Sequence, residues 1–223
     1  MSNAIISQVS KNLPFHYRLV CQRVDPKADV KPTGFFELPD KFKLPHLGEF
    51  EGQKQFADVR VGWHEKGLYL AASVAGKKQS LWCRETQLME SDGLQLWIDT
   101  RDTHNIHRAS KFCHWMLLMP TGGGGDKSKA VTSMLKINRS KEDSPNINRA
   151  RVDLASKIKK NGYQISAFIP AGCLHGWNTS DHRNIGFNYA IVDRELGWQT
   201  LAIGPELPIA EDPSLWQTLT LVD

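Results

Sequence analysis

Hydrophobic and polar residues alternate with a period of two along much of this chain, most regularly between Asp92 and Asp99. There Leu94, Leu96 and Ile98 share one side of an extended strand, while Gln95, Trp97 and Asp99 share the other. Asp92-Gly93 opens the strand with turn chemistry, and Thr100-Arg101-Asp102-Thr103 closes it. A second alternation places Val59, Val61 and Trp63 on one face, turns at Glu65-Lys66-Gly67, and returns with Leu68, Leu70, Ala72 and Val74 inward, which predicts a hairpin. Residues 111–119 form a longer apolar run ending at Pro120 and predict a strand buried on both faces. Further strands are predicted over 15–24, 131–137, 150–158 and 163–169, and near 185–193, 198–203 and 216–222. The turn between the two strands of 150–169 falls at Asn161-Gly162, and residues 171–177 suit one helical turn.

No helical periodicity lasts beyond about two turns, which excludes helix bundles and alternating α/β folds. The expected fold class is therefore all-β, a two-sheet antiparallel sandwich. Pro32, Pro39 and Pro45 interrupt residues 31–55, predicting an irregular arm that wraps the sandwich. The expected organisation is one domain over 1–223, with the first strand and arm in 1–55 and the core in 56–223; sandwiches commonly run past ~200 residues undivided.

Composition narrows the classes. Forty percent hydrophobic residues, with seven Trp and nine Phe, can fill a core, and 23% charged residues give an ordinary surface. The 28 basic against 24 acidic residues leave a net charge of only +4. They form no concentrated basic stripe, so no nucleic-acid partner is expected. Residues 1–11 lack a signal-peptide pattern and no stretch approaches the ~20 apolar residues of a membrane span, giving the expectation of a cytoplasmic protein with no membrane partner. Cys21, Cys83, Cys113 and Cys173 form no C-x-x-C pair and read as structural thiols.

The chemistry-bearing candidates are few. The Gly122–Gly125 stretch lacks the Gly-Lys of a phosphate loop, having Asp126 before Lys127. Asp99, Asp102, His104, His107 and His114 are the densest potential metal ligands. Asp99 and Asp102 could hold Ca²⁺ at a strand end, or be pinned by Arg101 and Arg108, or lie in a solvated loop. There is no G-x-S-x-G, and Cys113 and His114 are neighbours pointing to opposite faces. No catalytic residue is assigned, and the chain is expected not to be an enzyme.

The central segment Asp92-Gly93-Leu94-Gln95-Leu96-Trp97-Ile98-Asp99 resembles the core motif of family 9 carbohydrate-binding modules and their DOMON-like relatives. Asn161-Gly162-Tyr163 through Ile169-Pro170 resembles that family's second segment. Ile185-Gly186-Phe187-Asn188-Tyr189 through Asp193 resembles its third, and Asp212-Pro213-Ser214-Leu215-Trp216 its last. The order is the family's, and the match spans about 55–223. The resemblance implies a β-sandwich that binds sugars without catalysis, and a structural calcium ion to which Asp99 corresponds.

It also implies a pair of Trp residues clamping the ligand, at positions that are Met89 and Ala210 here. Gln95, Ser166, Ala190 and Val192 replace polar residues of the family's pocket. The expected substitute is a face on which sugars stack on Trp97 beside Gln95, with His114, Trp115 and Trp198 supplied by neighbouring strands. Three functions follow: a glycan- or small-molecule-binding module lacking the usual clamp; a structural or protein-interaction sandwich, with Trp97 packed under the arm; and a metal-dependent hydrolase-like enzyme using the acids and histidines after Asp99.

Overall fold

The computed structural model describes residues 15–29, 34–145 and 151–223. Readings placed on 1–11, on Pro14 and Pro32, and on 146–150 lie outside the described residues. Eleven strands follow one another: β1 (Arg18–Gln22), β2 (Ala57–His64), β3 (Gly67–Ala75), β4 (Gly93–Asp99), β5 (Cys113–Gly123), β6 (Lys129–Leu135), β7 (Asp153–Lys159), β8 (Gly162–Pro170), β9 (Asn184–Asp193), β10 (Gly197–Thr200) and β11 (Gln217–Val222). Apart from strands, the regular elements among the described residues are single 3₁₀ turns.

Seven strands form one sheet in the order β1-β11-β9-β4-β5-β6, with β10 paired to β9, and four form the other in the order β2-β3-β8-β7. Every pair is antiparallel except β1 with β11. Strands joined by tight turns must run antiparallel. β1 and β11 come from opposite ends of the chain, and no turn dictates their direction.

The alternation of β4 is what seats it. Leu94, Leu96 and Ile98 join Val59, Val61, Leu70, Ile165 and Ala167 in the layer between the sheets. Gly93 begins the strand because a Cβ there would stand 2.5 Å from the Leu118 carbonyl oxygen across the ladder. Pro120 lies within β5, and the β5–β6 register shifts between Met119 and Gly123. A residue without an N–H cannot continue the ladder, so the strand bulges there.

The arm does not cover Trp97. Phe36, Leu38 and Phe42 pack with Val24 and Tyr69 in a separate cluster on the outer side of the smaller sheet. Its aromatic residues match those that β3 and β8 turn outward: Phe36 meets Tyr69 edge-on at 5.8 Å between centroids, and Tyr69 meets Phe168 at 4.6 Å.

Candidate functional site

The residues that β4 turns away from the main core are not an open face. Gln95 is 2% exposed, Trp97 1% and Asp99 2%. Trp97 stacks on Trp115 across the β4–β5 ladder, with 5.7 Å between centroids and 23° between planes. Ala109, Ile137 and Trp216, from the segments beyond the strands, close over the pair with Ala190 and Val192. The alternation marked which side chains share a face; it carried no information about distant segments packing on that face. The expected sugar platform at Trp97 is thus a second hydrophobic cluster.

The remaining candidates disperse. Gln95 donates through Nε2 to the Met89 carbonyl at 3.1 Å, fixing the turn before β4. Trp198 sits on β10 opposite Val192 and is 40% exposed. Met89, at one clamp position, is 58% exposed, whereas Ala210, at the other, packs against the Trp97 cluster. His114 is 1% exposed, and burial pulls its imidazole down to about 4 despite the His175 carbonyl acceptor.

The geometry around His114 settles its tautomer. A carbonyl can only accept, so the Nε2 atom 3.3 Å from the His175 oxygen carries the proton. Nδ1 is then an acceptor, and the Ser144 hydroxyl donates to it at 3.0 Å.

His114 and Trp115 nevertheless share a wall. They line a cleft of about 390 Å³ between the start of β5 and residues 134–145, with Ser110, Cys113, Ser140, Glu142 and Ser144 around it. Burial pushes the Cys113 thiol up to about 12, so it is a packing group and not a thiolate. Lys136 and Ser140 both hold Asp143. Glu142 forms an ion pair with Lys111, 3.7 Å between Nζ and Oε1, with both side chains largely exposed. The indole Nε1 atoms of Trp97 and Trp115 are buried without an acceptor among the described residues. Ser110, Ser140, Glu142 and Ser144 gave no period or motif in sequence; the fold alone gathers them.

The acids and histidines after β4 also separate. Asp99 accepts the backbone N–H groups of Arg101 at 2.9 Å and Thr103 at 2.7 Å, closing its own turn. Burial raises its pKa, opposed by those two bonds. Asp102, at φ 51°, takes the Thr218 hydroxyl at 2.9 Å and lies 2.7 Å from His104 Nε2. His107 pairs with Asp212 instead. Neither arginine pins the acids: Arg101 donates to the Thr100 and Gly176 carbonyls, and Arg108 to those of Arg139 and Ser140. Among the described residues no group of three or more His, Cys, Asp or Glu is placed to hold a metal ion. The donors around Asp99 and Asp102 are N–H and O–H groups aimed at the carboxylates, which does not fit the oxygen cage of calcium.

Asp92, the first residue of the central motif, has a structural partner that sequence reading missed. Lys77 Nζ lies 3.1 Å from Asp92 and 2.7 Å from Asp193, with all three side chains buried. Burial opposes the lysine's charge, but the hydrogen bonds to Asp193 and Asp92 prevail and its pKa is raised. Asp92 also accepts the Trp82 and Arg194 N–H groups, and Asp193 those of Glu195 and Leu196.

With its two packed sheets, the molecule has a β-sandwich fold like that of family 9 carbohydrate-binding modules. Two of the solved structures similar to it are family 9 modules from Caldicellulosiruptor kristjanssonii. The one in complex with cellotriose is 14% identical with TM-score 0.61, covering 92% of this chain and 93% of its own. The one in complex with glucose is 12% identical with TM-score 0.62, covering 92% and 95%. A third structure, from Bacteroides uniformis, is 12% identical with TM-score 0.54 over 93% and 100%. No protein-family model and no curated protein matches the sequence.

Proposed function

We propose that this chain is a non-catalytic carbohydrate-binding module that has dispensed with the family's aromatic clamp. The observation that carries the reading is the extent of the structural likeness: nearly the whole chain superposes on nearly the whole of modules that hold cellotriose and glucose. The absence of a clamp rests on Met89 and Ala210, neither of which offers a ring to a sugar. The dispersal of His104, His107 and His114 to separate partners weighs against a hydrolase-like reading.

The reading is tested by calorimetric titration with glucose, cellobiose and cellotriose, followed by a glycan array. Saturable binding in the millimolar to micromolar range, some 4 to 8 kcal/mol, is expected. Failure of every glycan would favour a second reading, a protein-interaction sandwich. The observation behind that alternative is the burial of Gln95 and Trp97 together with two outward apolar side chains, Met89 and Trp198.

A further inference from the structure

We infer that one edge of the sandwich binds an acidic polysaccharide, a chain bearing carboxylate or sulfate groups, along a basic groove. The groove is made by the loop 77–86, the turn 121–127 and the turn between β7 and β8. This rests on the carbohydrate-binding reading and names the chemical class of the glycan.

Two clefts open along this edge. One, of about 330 Å³, is lined by Lys78, Lys159 and Lys160 together with Leu81, Thr121 and Ile158. The other, of about 300 Å³, is lined by Arg84 and Lys127 with Cys83, Glu85 and Gly122. They adjoin, because the same two segments wall both of them, and a Cβ at Gly122 would stand 3.3 Å from the Cys83 Cβ. Basic residues from three separate parts of the chain are thus set along one line. Their backbone is fixed, since the Lys77 N–H donates to the Asn161 carbonyl at 3.1 Å and ties the loop to the β7–β8 turn.

The charges in the groove are not neutralised by the protein. Lys77 spends its own on the buried Asp92 and Asp193. Among the described residues Lys78, Arg84, Lys127, Lys159 and Lys160 form no ion pair, and Arg84 lies only over the Trp82 ring, 5.6 Å from its centroid. The carboxylates near them are engaged elsewhere. Glu195 accepts the Lys78 and Gln79 backbone N–H groups at 2.9 and 2.8 Å, and Asp126 accepts from Ser128. Glu85 is the one carboxylate that lines either cleft among the described residues. Five unpaired cations beside a single acid make a positive field that attracts an anionic partner.

The shape of the groove narrows the kind of anion. Neither cleft is lined by an aromatic ring, so a neutral sugar has nothing to stack on and the bases of a nucleic acid have no platform. Two clefts in line suit a chain of several sugars better than a single small anion. Ile158, 53% exposed between the lysines of the first cleft, offers an apolar contact to the ring carbons of such a chain.

The test is a titration of the full chain with polygalacturonate, heparin, cellotriose and single-stranded oligothymidylate at low salt. Polygalacturonate or heparin should bind more tightly than the oligothymidylate, and whichever binds identifies carboxylate or sulfate as the recognised group. Raising the salt from ~50 to ~500 mM should weaken that binding. The double variant Lys78→Gln/Lys160→Gln should weaken it about tenfold, whereas Lys27→Gln/Lys66→Gln, with the same loss of charge away from the groove, should stay within about twofold of wild type. These are exposed side chains, and none of the four substitutions removes a core contact. Equal losses in the two double variants, or equal affinity for the oligothymidylate, would overturn the groove as a glycan site. Binding of cellotriose with no response to either acidic polymer overturns the groove and keeps the carbohydrate reading. No binding by any glycan overturns both.

Discussion

Acidification provides a test of the buried imidazole of His114. Burial lowers its pKa from the ordinary 6.5 to about 4. Below pH 6.5 the unfolded chain takes up a proton that the folded chain refuses until pH 4. Stability is therefore fully present above pH 6.5 and falls as the pH drops toward the folded value. The gap of about 2.5 units, at ~1.36 kcal/mol each, puts the loss at about 3 kcal/mol by pH 4.

Urea unfolding of wild type and His114→Gln at pH 7.5, 6.0, 5.0 and 4.0 measures it. Glutamine can donate to the His175 carbonyl and accept from Ser144, but does not titrate. Other groups also titrate in this window, including His16, whose pKa is lowered chiefly by burial and then by His104; they cancel in the difference between the two proteins. The wild type should lose about 3 kcal/mol more than the variant between pH 7.5 and 4.0. Parallel curves, or an imidazole titrating near 6.5 by NMR, would refute the assignment of a buried neutral ring.

Other substitutions probe the remaining packing. Trp97→Ala should cost about 3 to 5 kcal/mol in chemical denaturation, since it empties the second cluster, while Trp198→Ala should stay within about 0.5 kcal/mol. Equal costs would mean that Trp97 is as open as Trp198. Lys77→Met leaves Asp92 and Asp193 buried without their cation and should cost about 3 to 5 kcal/mol at pH 7; a neutral result would show that the backbone N–H groups suffice for both carboxylates. Millimolar calcium should leave the melting temperature unchanged, because the Asp99 and Asp102 oxygens already face protein donors. A rise with calcium, reversed by chelator, would restore the metal reading.

The alternation of Leu94, Leu96 and Ile98, and of the hairpin residues Val59 to Val74, was enough to determine strands, hairpins and the sandwich class. A strand's period of two and its turn chemistry are local properties, written wherever the strand is. What lies opposite a face is not local. Gln95 and Trp97 carry the polar and aromatic signature of an open sheet face, yet both are buried, Trp97 by segments around Ile137 and Trp216 that are close by in space but far along the chain. Lys77 finds Asp193 across more than a hundred residues. The cleft beside Trp115 joins β5 to a turn that no pattern distinguished from a solvated loop. The parallel pairing of β1 with β11 and the seat of the arm on Tyr69 and Phe168 are likewise properties of the tertiary structure alone. Packing contacts of that kind depend on three-dimensional proximity, and one-dimensional periodicity holds no record of it.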